Sequence, residues 1–389
     1  MNLVWFLTIG TFVALVFGEF GRFPFGGGGL SVTVYDLMLG LAVVFLLVWQ
    51  IGVKRNLSTL KVLLLWLPFW IVAVLSLLVS GHLQGGFYLI RFIFYCLSFW
   101  IGFCLIKEKV TSLETVNKLL AILGGVISVL GILQLVVFSD LRPLTPFGFD
   151  PHQGRLVSTF LDPNFVGSFL NVTLAITFFS WVKAPKKWSV WLAVLICSGI
   201  ILTFSRSAYL FLIVQCLIWG FFKYRKLLIL LLVINLVLYL SIPKFSERII
   251  GGFRVDKSSI ERFYSWKNGL LVFQSSPVLG VGFNNLRLAF DTLALTKTYS
   301  EDGGHAGAGV DSSLLFVLAT TGISGLIAFL YFWIRIIFAK YSNQLGLVIR
   351  GLLLGVLVNS QFINSLFFPP VMLVLLFWLG VCWSVRENK

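Results

Sequence analysis

VWLAVLICSGIILTFSRSAYLFLIVQCLIWGFF, residues 190–222, carries one charged side chain, Arg206, with a long apolar run on either side. About 20 consecutive apolar residues cross the hydrocarbon core of a bilayer, and each run approaches that length. The stretch therefore reads as two helices joined by the Ser-Arg-Ser turn at 205–207. Backbone groups in lipid must find their partners within the chain, so recurrent runs of this length predict a helical bundle and not a barrel.

Apolar runs of this kind recur along all 389 residues, of which 58% are hydrophobic and 12% charged. A soluble domain has about 25% charged residues. About twelve runs can be drawn, near 2–18, 33–53, 62–80, 86–106, 119–138, 164–182, 188–204, 207–222, 227–242, 311–337, 346–365 and 369–384. Alternate connections are basic: Lys54, Arg55 and Lys61; Lys107, Lys109 and Lys118; Lys183, Lys186 and Lys187; Lys223, Arg225 and Lys226; Arg335 and Lys340; Arg386 and Lys389. The connections between them, such as GHLQGG at 81–86 and FFPP at 367–370, carry little charge. Basic loops stay on the cytoplasmic side, so both termini are expected there. The fold class expected is an all-α polytopic membrane protein of about 12 transmembrane helices, a single domain over 1–389. The first run has no basic segment or small-residue cleavage site and reads as a retained helix, not a signal peptide.

The formal charge of +15 is spent in those short clusters, which argues against a nucleic-acid partner. Cys96, Cys104, Cys197, Cys216 and Cys382 all fall inside apolar segments and offer neither a disulfide framework nor a Cys-x-x-Cys pair. His82, His152 and His305 are far apart in sequence, and no metal or other cofactor is expected. GVGFNNL at 280–286 lacks a βαβ context and reads as a turn.

The alternation puts two long connections outside, 139–163 and 243–310. In the second, Ile260, Phe263, Leu270, Leu271 and Phe273 are spaced as on an amphipathic helix suited to a membrane interface, ended by Pro277, Gly280 and Gly282. GGHAGAG at 303–309 reads as a lid or a linker. Arg206 thus sits in a short outward turn. It is either a helix-end arginine snorkelling to headgroups or part of a polar cavity. Further cations on the outward side, Arg91, Arg142, Arg155, Arg254 and Arg262, favour the cavity. Guanidinium groups bind phosphate bidentately and stay charged in a low dielectric, so a phosphate ligand is expected.

Four stretches taken in order, RLVSTFLDPNFVGSFL (155–170), LTFSRSAYL (202–210), RFYSWKNGLLVFQSSPVLGVGFNNL (262–286) and DSSLLFVLATTGISGL (311–326), resemble the O-antigen ligase/polymerase family. The likeness covers roughly 150–335; the flanking runs match in hydropathy alone. It implies a GT-C-like glycosyltransferase of the bacterial cytoplasmic membrane, with its active site on the outer face beneath the large loop. Such an enzyme moves a glycan from an undecaprenyl-pyrophosphate carrier onto an acceptor hydroxyl. Membrane lipids and a chain-length regulator are the further partners implied. The resemblance assigns the pyrophosphate to Arg206 and Arg262. Arg155 and Asn164 lie in a third matching stretch and, with Arg91 and Arg254, are expected to contact the donor.

One departure bears on mechanism. Where ligases of this family commonly carry a histidine, counted back from Gly322, this chain has Asp311; His305 lies six residues upstream. Asp311 is expected to orient the acceptor or accept its proton, with His305 as a secondary contact. The alternative for Asp311 is a helix N-cap, backed by Ser312 and Ser313. The missing histidine inclines the reading towards a polymerase of repeat units, with a ligase as the alternative. A transporter or flippase would show two related halves, and no such duplication is present. The orientation is testable: a cysteine at Gly304 should react with an impermeant thiol probe in intact spheroplasts. Labelling only after lysis would reverse the topology.

Overall fold

The computed structural model describes residues 1–24, 31–55, 57–251, 257–295 and 309–386; Arg254 and His305 lie outside the described residues. The helices in chain order are α1 (Asn2–Leu15), α2 (Val34–Val48), α3 (Leu67–Ser80), α4 (Gly86–Lys107), α5 (Leu113–Val137), α6 (Pro163–Lys183), α7 (Lys187–Leu202) and α8 (Arg206–Phe222). They continue with α9 (Lys226–Ser241), α10 (Pro243–Ile250), α11 (Lys257–Ser275), α12 (Leu286–Thr292), α13 (Ser313–Ile337), α14 (Asn343–Asn359) and α15 (Pro369–Ser384). A short antiparallel ribbon, β1 (Arg22–Pro24) with β2 (Ser31–Thr33), was not expected from sequence.

The chain is an all-α membrane protein in its main architecture. Each of the expected apolar runs falls on a helix, but their lengths differ. Among the described residues, five helical segments are long and apolar enough to cross a membrane: Val34–Val53, Leu83–Lys107, Leu113–Val137, Pro163–Lys183 and Ser313–Ile337. A sixth results if Ser58–Leu65 and Leu67–Ser80, bent by 62°, count as one broken span. The remaining six are apolar helices of 10–17 residues, among them α7, α8 and α15.

Packing is antiparallel and close. Gly102 of α4 and Gly380 of α15 let the two backbones meet: a Cβ at Gly102 would lie 2.3 Å from the Phe377 carbonyl oxygen, and one at Gly380 1.9 Å from that of Phe99. Small residues at such crossings replace the hydrophobic driving force that lipid removes. α8 packs on α14, α6 on α5 and α7, and α13 on α3 and α11. Ion pairs Lys54–Glu108 and Lys186–Glu114 tie the end of the bundle where α4 finishes and α5 and α7 begin. The opposite end, where α7 finishes and α6, α8 and α13 begin, holds the polar groups considered below.

The helix expected at 260–273 is α11, with its faces assigned by the fold. Ile260, Phe263, Leu270 and Leu271 are exposed, and the stripe buried against the bundle is Ser265, Asn268 and Val272. An apolar face turned away from the protein fits a helix lying on a membrane interface. The segment after it is a turn, as expected for GVGFNNL, with Gly280 at φ +68°. It is threaded into a break in α13, where Gly322 also takes φ +68° and a non-helical ψ. The amides of Val281 and Gly282 donate to Ala319 and Thr320 (3.2 and 3.1 Å), and that of Ile323 to Pro277 (2.9 Å). Ser76 Oγ of α3 donates to the same Thr320 carbonyl at 2.7 Å.

Arg91 does not join an arginine-lined cavity. It pairs with Asp36 of α2 (Nη2–Oδ2 2.8 Å, Nε–Oδ1 3.0 Å), and Tyr95 donates to the same carboxylate. Asp36 is also the third residue of a capping box with Thr33, so one carboxylate caps α2 and neutralises α4. The side chain expected to contact substrate is thus held in an ion pair: a charge at membrane depth needs a partner, and Asp36 supplies it. Arg91→Leu should cost about 3 kcal/mol of stability by stranding Asp36. The double variant Arg91→Leu, Asp36→Asn should recover most of that. Thermal unfolding of the purified protein in detergent measures both.

Candidate functional site

Ser205 and Arg206 start α8, and the cap decides their placement. Ser205 is the N-cap, its Oγ accepting from the Ala208 amide, which leaves Arg206 at the first helical position. The free amides of a helix N-terminus amount to about half a positive charge, so a cation there is unfavourable without an anion nearby. The Arg206 side chain donates from Nη1 to the Gly251 carbonyl (2.8 Å), just past α10. α7 ends through Thr203 and Phe204, the latter at φ +46°.

Arg155 is buried beneath this turn. Its Nε donates to the Thr203 carbonyl (2.9 Å), and Nη2 to the Phe204 carbonyl (3.3 Å) and to Asn164 Oδ1 (3.4 Å). Asn164 Oδ1 also accepts from Ser205 Oγ at 2.7 Å. One guanidinium and one amide thus join the end of α7, the start of α8 and the first turn of α6. These polar atoms of Arg155 and Asn164 are engaged within the protein, so their geometry is that of positioning groups for Arg206. Ser205 was not singled out from sequence, although Ser before a helical run is an N-cap signal.

The 139–163 connection is ordered around the same corner. Asp140 and Gln153 form a bridge, the Leu141 amide donates to the His152 carbonyl (2.9 Å), and the Leu156 amide donates to Leu202 (2.9 Å). Arg142, expected to face the cavity, is exposed and pairs with Asp140 in its own loop (2.6 Å). Lys244 of α10 donates to the carbonyls of Gln153 (2.9 Å) and Gly154 (2.5 Å) and lies over the Phe204 ring. α10 is thereby fastened to the loop that carries Arg155.

Asp162 caps α6, one of its oxygens accepting from the Asn164 and Phe165 amides (2.7 and 3.0 Å). Pro163 follows at the first helical position, where no amide is needed. Burial alone would raise the Asp162 pKa, yet His152, the Phe165 amide and Arg155 together hold it below the ordinary carboxylate value. Sequence spacing gave no metal-ligand cluster, but the fold brings Asp150, His152 and Asp162 together, with one potential ligand atom of each within 4.8 Å of the others. These are the described residues that could hold a metal.

Asp311 is not the cap of α13; Ser312 is, with its Oγ accepting from the Leu315 amide. α11 grips the Asp311 backbone from both sides. The Asp311 amide donates to Ser265 Oγ (2.8 Å), and Trp266 Nε1 donates to the Asp311 carbonyl (3.1 Å). Arg262, Ser265 and Trp266 follow at i, i+3 and i+4, one helix face, so the grip also sets Arg262 beside Asp311. Burial raises the Asp311 pKa to about 6, with Arg262 opposing and Asp162, Asp150 and Glu261 adding to the rise. The structure therefore brings Arg155, Asn164, Arg206, Arg262 and Asp311 to one end of the bundle.

Residues 191–330 match a family model described as O-Antigen ligase. The match runs from α7 through most of α13 and includes three of the four motifs that carried the resemblance; 155–170 precedes it. No curated protein matches the chain.

The raised Asp311 pKa has a sign that can be tested. Its contribution to stability is fully present below the unfolded value and is lost as pH rises through about 6. Asp311→Asn cannot ionise, so its thermal midpoint relative to wild type should rise between about pH 4 and about pH 8. A constant difference across that range would show that Asp311 ionises as freely as an exposed carboxylate.

Proposed function

From the match of residues 191–330 to the O-antigen ligase model, we propose that this protein polymerises oligosaccharide repeat units carried on undecaprenyl pyrophosphate at the outer face of the bacterial cytoplasmic membrane. The observation that carries the reading is Arg206 at the first position of α8. Helix N-termini are ready phosphate sites, and a guanidinium beside the free amides can add a bidentate contact to the same phosphate. α7 and α8, 16 and 17 residues long, reach about 24–26 Å at the helical rise. A bilayer core is about 30 Å thick. Helices a few ångströms short of that thickness suit a turn near the membrane surface, within reach of a lipid pyrophosphate.

In this mechanism Arg206 and Arg262 hold the pyrophosphate of the donor. The acceptor hydroxyl oxygen attacks the anomeric carbon as the bond from that carbon to the phosphate oxygen breaks. Undecaprenyl pyrophosphate leaves with the electron pair, and the sugar inverts. Charge builds on the leaving oxygens, where preorganised guanidinium groups stabilise it most. Asp311 accepts the proton of the attacking hydroxyl; a carboxyl with a pKa of about 6 is ionised at neutral pH and is a better base than an exposed one. Arg155 and Asn164 act through Arg206, keeping its turn in register.

The family description favours a second reading, a ligase that passes finished glycan to lipid A core or another surface acceptor. Purified protein given lipid-linked repeat units alone should produce a ladder of lengthened glycans if it is a polymerase. A ligase would turn over only when a foreign acceptor is added. Arg206→Ala and Arg262→Ala should each lower turnover by about a hundredfold or more in protein that is still folded and membrane-inserted. Lysine at either position should restore part of it, because an ammonium lacks the two-pronged phosphate contact. Full turnover in both alanine variants would overturn the pyrophosphate assignment.

A further inference from the structure

We propose that Asp150, His152 and Asp162 bind a divalent transition-metal cation, of the zinc or manganese kind, that clamps the 139–163 connection onto the start of α6. One nitrogen and two carboxylate donors suit such ions, whereas magnesium and calcium prefer oxygen alone. One potential ligand atom of each residue lies within 4.8 Å of the others. His152 Nε2 is 3.7 Å from Asp162 Oδ2, too long for a hydrogen bond. Two donors on a tetrahedral zinc lie about 3.4 Å apart, so a small inward movement would complete the site.

The histidine nitrogen supplies an independent reason. Nε2 is sheltered from solvent and has no hydrogen-bond partner among the described residues. A buried, unsatisfied imidazole nitrogen is costly, and a metal ion satisfies it without a proton. The donors are also held in place from behind. Asp162 spends one oxygen on the amides of Asn164 and Phe165, which turns the other towards His152. The His152 amide donates to Asp150 O (2.8 Å), and its carbonyl accepts from Leu141 (2.9 Å). Supporting hydrogen bonds of this kind orient ligands at metal sites.

Two carboxylates with a neutral imidazole leave a charge that a dication offsets, beside the Arg155 guanidinium that already acts on Asp162. The ion would fix the loop carrying Arg155 without touching substrate. The proposal is independent of the glycosyl-transfer reading, because its test needs no turnover. Full-length protein purified in detergent, stripped with EDTA, re-equilibrated with zinc or manganese alone and desalted, should retain about one ion per chain by elemental analysis. The ion should also raise the thermal midpoint.

His152→Ala and Asp150→Asn should lower the retained metal about tenfold or more and abolish the thermal shift. Asp162→Asn should do the same, although asparagine still caps α6. His82→Ala and His305→Ala should keep both metal and shift. The proposal fails if wild type retains no more metal than the triad variants. It fails equally if the metal is lost with His82 or His305, or if the trio variants keep the thermal shift, which would leave His152 and Asp162 as an ion pair only.

Discussion

The carbonyls that α7 leaves open at its end govern this corner of the protein. Buried within the bundle at Thr203 and Phe204, such groups cannot turn to water, and an unsatisfied one is costly. Arg155 takes both the Thr203 and the Phe204 carbonyls, and through Asn164 it reaches the serine that starts α8. One buried cation therefore ends one helix and holds the beginnings of two others. The position of Arg206 follows from that arrangement, because a residue at the first turn of a helix goes where its cap is held. The inner arginine serves carbonyl oxygens, and the outer one reaches the Gly251 carbonyl from the start of α8.

The site combines two differently built halves. Around Arg206, side chains from three helices fix the backbone of a short turn. Around Arg262, a helix on the flank of the bundle holds Asp311 by its main chain through Ser265 and Trp266. The first half lies among buried groups, while the second has an apolar face turned outward at Ile260 and Phe263. The lipid-linked donor proposed above would use both kinds of surroundings, a rigid polar seat for its charge and an open flank for its chain.

How much of this was legible in the sequence depends on distance along the chain. The apolar runs, the turn at 205–207 and the helix at 257–275 are local patterns, and each appears where its periodicity or punctuation puts it. Asp162 before Pro163 was equally local, a helix start in plain letters. The misreadings come from partners far apart in sequence. Arg91 looked like a cavity charge because Asp36, which neutralises it, lies 55 residues away. The gathering of Asp150, His152 and Asp162 depends on how the 139–163 loop folds back. Periodicity showed that α11 has an apolar face but not that the bundle would take the stripe of Ser265, Asn268 and Val272 instead. The cap considered for Asp311 falls one residue later, on Ser312.

The turn threaded into the break of α13 makes the separation between the two arginines a dimension of the bundle. The amides of Val281 and Gly282 fasten the end of the α11 segment to α13, and α13 rests on α3 through Ser76 and Thr320. Arg206 is fastened to α6 and α7 instead. Although Arg206 also donates to Gly251 of the 243–310 connection, the turn and the helix that carry the two guanidinium groups are held by packing on the bundle, so the gap between them works as a ruler. For the donor proposed above, that ruler would read the spacing of its phosphates, whatever sugars it carries. Discrimination among glycans would then have to come from other surfaces, which could diversify without disturbing the grip on the carrier.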